Sequence, residues 1–432
     1  MRGKLRRFLR AGTIDLRPLR HRDYRLLNIG QLISGLGSQL TTVALAYQIY
    51  HLTGSVLAVG MVALTQLFPL LVTSSIGGAL ADAHDRRTVA RLVTYAQAAT
   101  STMLAVNASL ARPHVWVLYV AAALSAALRG LLGPSLEAMT PRLVPRDEIA
   151  ASSAIRWLRL NTAMVAGPAL GGVLISTIGT SLTYTVDVAS FAASIIAFSM
   201  MKPIPPSSGK ARLGLRTIGD GWLYARRRPD LVGSYLVDIV AMFFGMPQSL
   251  FPAIAERLGG ARSLGFLYSG LALGAFVATA TSGWTSSVKR YGRAIVLAAL
   301  GWGVAIVPFG YTSRLPVAVA CLAVAGLLDM YSALFRASLW NQTIPDEYRG
   351  RLAGIEQLSY SVGPMLGNVE AGVVASLTDL RTSIVSGGVL CVAGVAALAI
   401  VFPALWAFDL RTFRKEAPVP APPEPAQAPE PA

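Results

Sequence analysis

Twelve apolar stretches, each long enough to cross a bilayer, fill most of the 432-residue chain, and a basic segment at 202–230 divides them six and six. No water completes backbone hydrogen bonds in hydrocarbon, so a spanning segment must satisfy its own amides, which for a helix takes about 20 mostly apolar residues. The stretches lie at 26–50, 55–81, 88–110, 115–138, 149–177, 182–201, 231–255, 263–286, 291–312, 315–341, 352–377 and 383–408. Composition agrees, with 53% hydrophobic and only 14% charged residues. The expected fold class is an all-α membrane protein of twelve transmembrane helices in two six-helix bundles. The N-terminal bundle covers 26–201 and the C-terminal bundle 231–410, with a basic cytoplasmic N-terminus at 1–25, a cytoplasmic loop at 202–230 and a cytoplasmic tail at 411–432.

A net charge of +16 would point a soluble protein toward nucleic acid or another acidic partner. The placement of the charge removes that reading. With the N-terminus inside, all but seven of the 38 Lys and Arg fall in the termini, in inner loops or at inner helix ends. Arg112, Arg257, Arg262, Arg314 and Arg381 are left for the outer loops, and Arg129 and Arg336 lie within spans. This positive-inside asymmetry puts both termini in the cytoplasm of a multi-pass protein of the cell inner membrane. The expected partners are the lipid bilayer, a small-molecule substrate and protons, with no nucleic acid, and the chain is expected to act as a monomer.

Residues 1–25 are basic throughout and lack an apolar core with a cleavage site, so the first span is expected to serve as its own insertion signal. Cys321 and Cys391 fall in different spans and read as small apolar packing residues. His21, His51, His84 and His114 lie in loops or at helix ends, with neither a His-Glu-x-x-His spacing nor a catalytic triad around them. No metal, cofactor or enzymatic activity is expected. The 202–230 segment holds Pro203, Pro205, Pro206 and Gly209, then a basic, weakly amphipathic run suited to the anionic inner surface. Pro418 to Ala432 is almost wholly Pro, Ala, Glu and Gln, a composition expected to stay disordered.

The two halves echo each other. Pro145 precedes Asp147-Glu148 at the exit of span 4, with Gly167-Pro168 following in span 5; Pro345 precedes Asp346-Glu347 at the exit of span 10, with Gly363-Pro364 following in span 11. Parallel six-helix repeats of this kind characterise a class of secondary transporters whose substrate site lies near the midplane between the halves.

Between spans 2 and 3 runs Gly78-Ala79-Leu80-Ala81-Asp82-Ala83-His84-Asp85-Arg86-Arg87. Gly78 permits close helix approach, Asp82 can accept bonds from a helix N-terminus or an Arg, and Arg86 and Arg87 anchor the loop inside, so the four are expected to form a cytoplasmic gate that breaks and re-forms as the halves rock. The segment resembles the loop motif of the major facilitator superfamily, in its drug- and siderophore-exporter branch, although Ala83 stands where Arg is usual. An ordinary tight turn with inside-anchoring charges is the plainer reading. Gly167-Pro168-Ala169-Leu170-Gly171-Gly172 is similar to the family's Gly-Pro-x-x-Gly-Gly element, which marks exporters rather than importers. Proline bends a helix and the glycines admit a neighbour, giving a pliable seam. Arg129-Gly130-Leu131-Leu132-Gly133 resembles the family's Arg-x-x-Gln-Gly element linked with proton transfer, with Leu132 in place of Gln.

An Arg at mid-membrane costs about 2.5 to 3.5 kcal/mol on insertion scales, so Arg129 must face a partner or a wet cavity. The repeat matches it to Asp329 of span 10, and Asp238 lies in span 7. The resemblance implies that spans 1, 4, 7 and 10 line the cavity, making Asp238 and Asp329 candidate proton carriers and Arg129 their tuner. A buried Asp–Arg pair that only holds helices in register is the structural alternative. Arg336 lies two turns from Asp329, too far for a direct pair, near the inner gate; Asp187 reads as a satisfied structural acid, and Glu370 as a reserve proton site.

Gln31, Ser34, Ser38 and Thr42 form one polar stripe on span 1, suited equally to a cavity or to a helix neighbour. Met242, Phe243, Phe244 and Gln248 of span 7 and Ser332 of span 10 complete the candidate substrate cavity. The function expected from the resemblance is proton-coupled efflux of a small amphiphilic or apolar compound, a drug, siderophore or secondary metabolite, by alternating access. Its rivals are an importer or lipid flippase of the same fold, and a non-transporting receptor or scaffold.

Overall fold

In the computed structural model, residues 15–205 and 223–412 are described. The expectations for the first 14 residues, for most of the central loop and for the Pro-rich tail lie outside the described residues. The helices are α1 (Arg22–Thr53), α2 (Val56–Ala83), α3 (Arg86–Ser109), α4 (Val115–Leu143), then one run Ile149–Met200 divided at Gly179, which gives α5 (149–178) and α6 (180–200). The second half holds α7 (Pro229–Gly245), α8 (Ala261–Ala280), α9 (Tyr291–Tyr311), α10 (Leu315–Thr343), α11 (Asp346–Leu377) and α12 (Leu380–Val401).

Eight helical stretches among the described residues are long and apolar enough to cross a membrane, one of them the 55-residue run that turns at Gly179 (φ 84°). α1, α3 and α11, at 32, 24 and 32 residues, have the length but a more polar composition. The buried polar side chains of α1, Asn28, Gln31, Ser34 and Gln48, explain how such a helix is tolerated: they bond inside the bundle rather than meet lipid. Large side chains such as Phe68 (74% exposed) and Ile400 (80%) line the outside, as hydrocarbon demands.

Three expected spans end differently. Span 7 breaks after Gly245 and resumes as the short helix Phe251–Leu258, because Pro247 supplies no backbone donor and Gly245 is pressed against the Trp302 indole. Span 8 stops at Ala280 and runs on as a 3-10 turn, Ser282–Ser287. Span 12 stops at Val401, before Pro403 opens the short helix Pro403–Ala407. Caps fix other ends: Ser55 Oγ accepts from Ala58 N–H, and Asp85 from Thr88 N–H. Asp379 caps α12, where the Thr382 hydroxyl and nearby backbone N–H groups hold its carboxyl below the usual range.

Within a bundle α1 packs along α5 and α6, and α2 against α4; in the other, α8 and α9 pack on α10 and α9 on α12. Between bundles α2 meets α11 and α5 meets α8. These contacts exchange under a rotation that swaps helix n with helix n + 6, the signature of parallel repeats about an axis along the membrane normal.

The bundles are sealed at one end, that of the α1–α2 turn. There Gly60 lies against the Asn368 carbonyl, Gly372 against Val56 and Leu57, and Gly172 against Ala261 and Gly265. Ser269 Oγ donates to the Val165 carbonyl (2.7 Å) and Arg262 Nε to Ser176 Oγ (3.0 Å). At the opposite, basic end Tyr24 Oη donates to the Ser152 carbonyl within the first bundle (2.8 Å).

Candidate functional site

A cleft with about 930 Å3 of empty space lies inside the seal. The first bundle supplies most of its wall, including Ser38, Thr42, Gln66, Gln97 and Arg129; the second closes it with Gln248, Ser249, Tyr268 and Asn368. Asn368 Oδ1 accepts from Ser249 N–H (2.7 Å), which fixes the broken end of α7 against α11. Gln66 and Gln97 were not singled out by sequence reasoning, although an isolated amide inside an apolar span is itself a signal of a polar cavity.

The polar stripe of α1 divides. Ser38 and Thr42 line the cleft. Gln31 and Ser34 are buried against α6, where Gln31 Nε2 donates to Ser194 Oγ (3.4 Å) and Ser194 Oγ to Ser34 Oγ (2.9 Å). Their geometry is that of helix packing. Asp187 sits at the cleft wall, 1% exposed, and accepts from Thr41 Oγ1 (2.6 Å), Ser101 Oγ (2.7 Å) and Ser190 Oγ (3.1 Å). Gly37 leaves the room these groups occupy. Thr41 and Ser101 donate outright, while the Ser190 proton is shared with the Asp187 carbonyl (2.7 Å), and these hydroxyls hold the carboxylate without a cation.

Asp238 lies in the other bundle, paired with Arg336: Nη2 to Oδ1 is 2.8 Å, and both side chains are 2% exposed. The structure thus places Arg336, not Arg129, beside the span-7 acid. The reason is reach. Arg336 lies seven residues from Asp329 on α10, about 10 Å along the axis, but its long side chain crosses to α7. Arg336 Nη1 donates to Ser332 Oγ (3.0 Å), and its guanidinium lies 5.4 Å from the Tyr360 ring centre. Ser332 therefore steadies the pair. Nearby, Trp340 Nε1 donates to Ser234 Oγ (3.1 Å) and joins α10 to α7. Asp238 Oδ2 and Arg336 Nε have no hydrogen-bond partner among the described residues, so the pair keeps unused capacity. Asp329 and Glu370 are half-buried, and so is Glu356 of α11, an acid that sequence reasoning passed over.

Arg129 stands in the first bundle, open to the cleft, and makes no ion pair or hydrogen bond with any described residue. Met242 is buried where its carbonyl and that of Phe243 press on Gly367, and Phe243 and Phe244 meet edge to face at 5.0 Å. Of the span-7 set, Gln248 is the residue that reaches the cleft.

The loop after α2 is tied to its own bundle by several bonds. Arg87 donates from Nε to the Phe198 carbonyl and from Nη2 to the Ser199 carbonyl, both at 2.7 Å, at the carboxyl end of α6. Asp85 accepts from Ile204 N–H, and Arg86 N–H donates to the Ile204 carbonyl (3.1 Å). Asp82 is 35% exposed, 3.8 Å from the Arg86 guanidinium. Gly77, beside Gly78, lies close against Gly130 and Leu131. Replacing Arg87 by Ala removes two charge-assisted bonds and is expected to destabilise the first bundle by about 1.5 to 3 kcal/mol, read as a lower unfolding temperature in detergent.

In the Gly-Pro-x-x-Gly-Gly element, Gly167 and Gly171 face α1 at Gln39 and Leu40, whereas the Pro168 carbonyl and Gly172 face Gly265 of α8. The element serves two interfaces at once, one inside the bundle and one across the seam.

Solved transporters share this architecture. The nucleoside transporter NupG superimposes with a TM-score of 0.69 at 14% identity, covering 90% of this chain and all of that one. A bacterial homologue of the iron transporter ferroportin gives 0.66 at 17% identity, covering 89% of this chain and 99% of its own. In sequence, the enterobactin exporter EntS of Escherichia coli O1:K1 is 27% identical over 400 residues, 92% of this chain and 95% of that protein, and EntS of Escherichia fergusonii matches equally. The family model described as transmembrane secretion effector covers residues 13–426, so the chain belongs to that family of the major facilitator superfamily and is a transporter, not an enzyme.

Proposed function

We propose that this transporter exports a small amphiphilic compound across the cell inner membrane by alternating access, driven by protons, with both termini in the cytoplasm. The observation that carries the coupling is the Asp238–Arg336 pair, enclosed in the second bundle with Asp329 on the same helix as Arg336. A carboxylate held by a guanidinium in an apolar bundle has two ways to be neutral: keep its partner, or take a proton when the partner moves. A shift of α7 against α10 inside the second bundle, coupled to the rocking of the two bundles, exchanges one for the other. The seal at the α5–α8 and α2–α11 contacts, opposite the basic loops, corresponds to a cleft open toward the cytoplasm, ready to load cargo. Likeness to enterobactin exporters makes enterobactin the first cargo to test.

The test is transport in proteoliposomes carrying an imposed pH gradient. The wild-type chain is expected to move cargo against its gradient only while the pH gradient lasts. Asp329→Asn is expected to remove proton-driven transport while leaving the protein folded and cargo binding intact. Unchanged active transport by that variant would take Asp329 out of the proton path.

A further inference from the structure

Among the described residues, two cations that line hollows of the first bundle have no partner. Arg129 on α4 makes no ion pair or hydrogen bond with any described residue, and neither does Arg159 on α5, whose Nε is buried and unsatisfied. Both line hollows. Arg129 faces the sealed cleft, while Arg159, with Arg156, Asn28, Gln31 and Thr140, lines a second hollow between α1, α4 and α5 toward the basic end. The hollows follow one wall: Ser125, Arg129, Gly133, Leu136 and Thr140 recur at helical spacing on a single face of α4. Arg129 and Thr140 lie eleven residues apart on that face, about 16 Å along the axis. Arg156 is partly neutralised by Glu137 at 3.3 Å, a solvent-exposed contact.

The two bundles differ in how their charges stand. In the second, the buried Arg336 is engaged by Asp238, and Asp329, Glu356 and Glu370 add further acids. In the first, Asp187 is held by hydroxyls, and Glu137, which also lines the second hollow, contacts Arg156, so neither acid pairs with Arg129 or Arg159. An unpaired cation at membrane depth is costly, and the cost is removed when an anion enters.

We infer that the cargo bears an anionic group, a carboxylate, phenolate or similar oxyanion on an apolar frame, taken first by Arg159 and then by Arg129 along the α4 wall. The inference rests on the exporter reading above and divides the work: the first bundle holds the anion and the second carries the proton. Ser38, Thr42, Gln66 and Gln97 then supply neutral hydrogen bonds around the guanidinium, and Tyr268 a ring face for the apolar frame.

Equilibrium binding to the purified full-length protein tests it with two probes that differ only in charge, naphthoate and naphthylmethylammonium. Naphthoate is expected to bind more tightly than the ammonium probe. Arg129→Gln should weaken naphthoate by about tenfold or more, Arg159→Gln by less, and Arg129→Lys should recover part of the loss. Arg290→Gln, at an exposed ion pair away from both hollows, should leave naphthoate binding unchanged. Unfolding temperatures confirm that each variant is folded, and Arg129→Lys serves where Arg129→Gln is not. Preference for the ammonium probe, binding of neither, or naphthoate affinity untouched in both Arg129 variants overturns the inference. Transport driven by a pH gradient, measured separately, decides the exporter reading.

Discussion

Arg336→Met should melt well below the wild-type protein and transport nothing, and Asp238→Asn added to it should restore much of the stability but none of the transport. Both partners of the pair are 2% exposed, so removing the guanidinium strands Asp238 in an apolar bundle. Loss of one member of a buried pair costs about 3 to 5 kcal/mol, whereas removing both charges is often close to neutral. The double variant therefore separates the two roles of the pair. Recovery of stability without recovery of pH-driven transport assigns the pair to coupling. A single variant as stable as wild type would mean that the carboxylate finds another partner and that the pair is dispensable to the fold.

Gly172→Leu is expected to cost at least about tenfold in transport rate by forcing the sealed end apart. A β-carbon at this position already falls on the Ala261 carbonyl and the Gly265 backbone, neither of which is the movable tip of a side chain. Close backbone contact through small residues is what holds membrane helices together where no hydrophobic drive exists between them. The readout is a short thiol cross-linker spanning Ser176→Cys and Arg262→Cys, in a Cys321→Ala, Cys391→Ala background. The native side chains of the linked pair touch at 3.0 Å across the seam. Cross-linking should fall sharply in the Gly172→Leu form, and undiminished cross-linking would show that the seam tolerates the bulk.

The helices were legible in the sequence because hydrocarbon permits so few solutions: each span had to close its own backbone bonds, and apolar length alone located it. The breaks in spans 7 and 12 follow from Pro247 and Pro403, residues in plain view whose effect is local and stereochemical. Side-chain partners were harder. Asp238 and Arg336 are far apart in sequence, and spacing along α10 relates Arg336 only to Asp329, not to the helix it leans on. Gln31 and Ser34 share their helix face with Ser38 and Thr42, so periodicity could not tell which end of the stripe meets α6 and which the cleft. Arg129 stands open to the cleft in the first bundle, apart from the acids of the second, a separation that spacing along one sequence does not disclose.

The chain between the bundles is moored at both of its ends. Ile204 is bound by Asp85 and Arg86, and the Pro205 carbonyl accepts from Arg142; on the far side Arg228 grips Asp230 at 2.6 Å and reaches the Thr343 carbonyl. A tug on the intervening stretch is therefore spread over several helices of each bundle instead of unravelling one. Force applied at either mooring would tilt a whole bundle and alter how often the cleft changes sides.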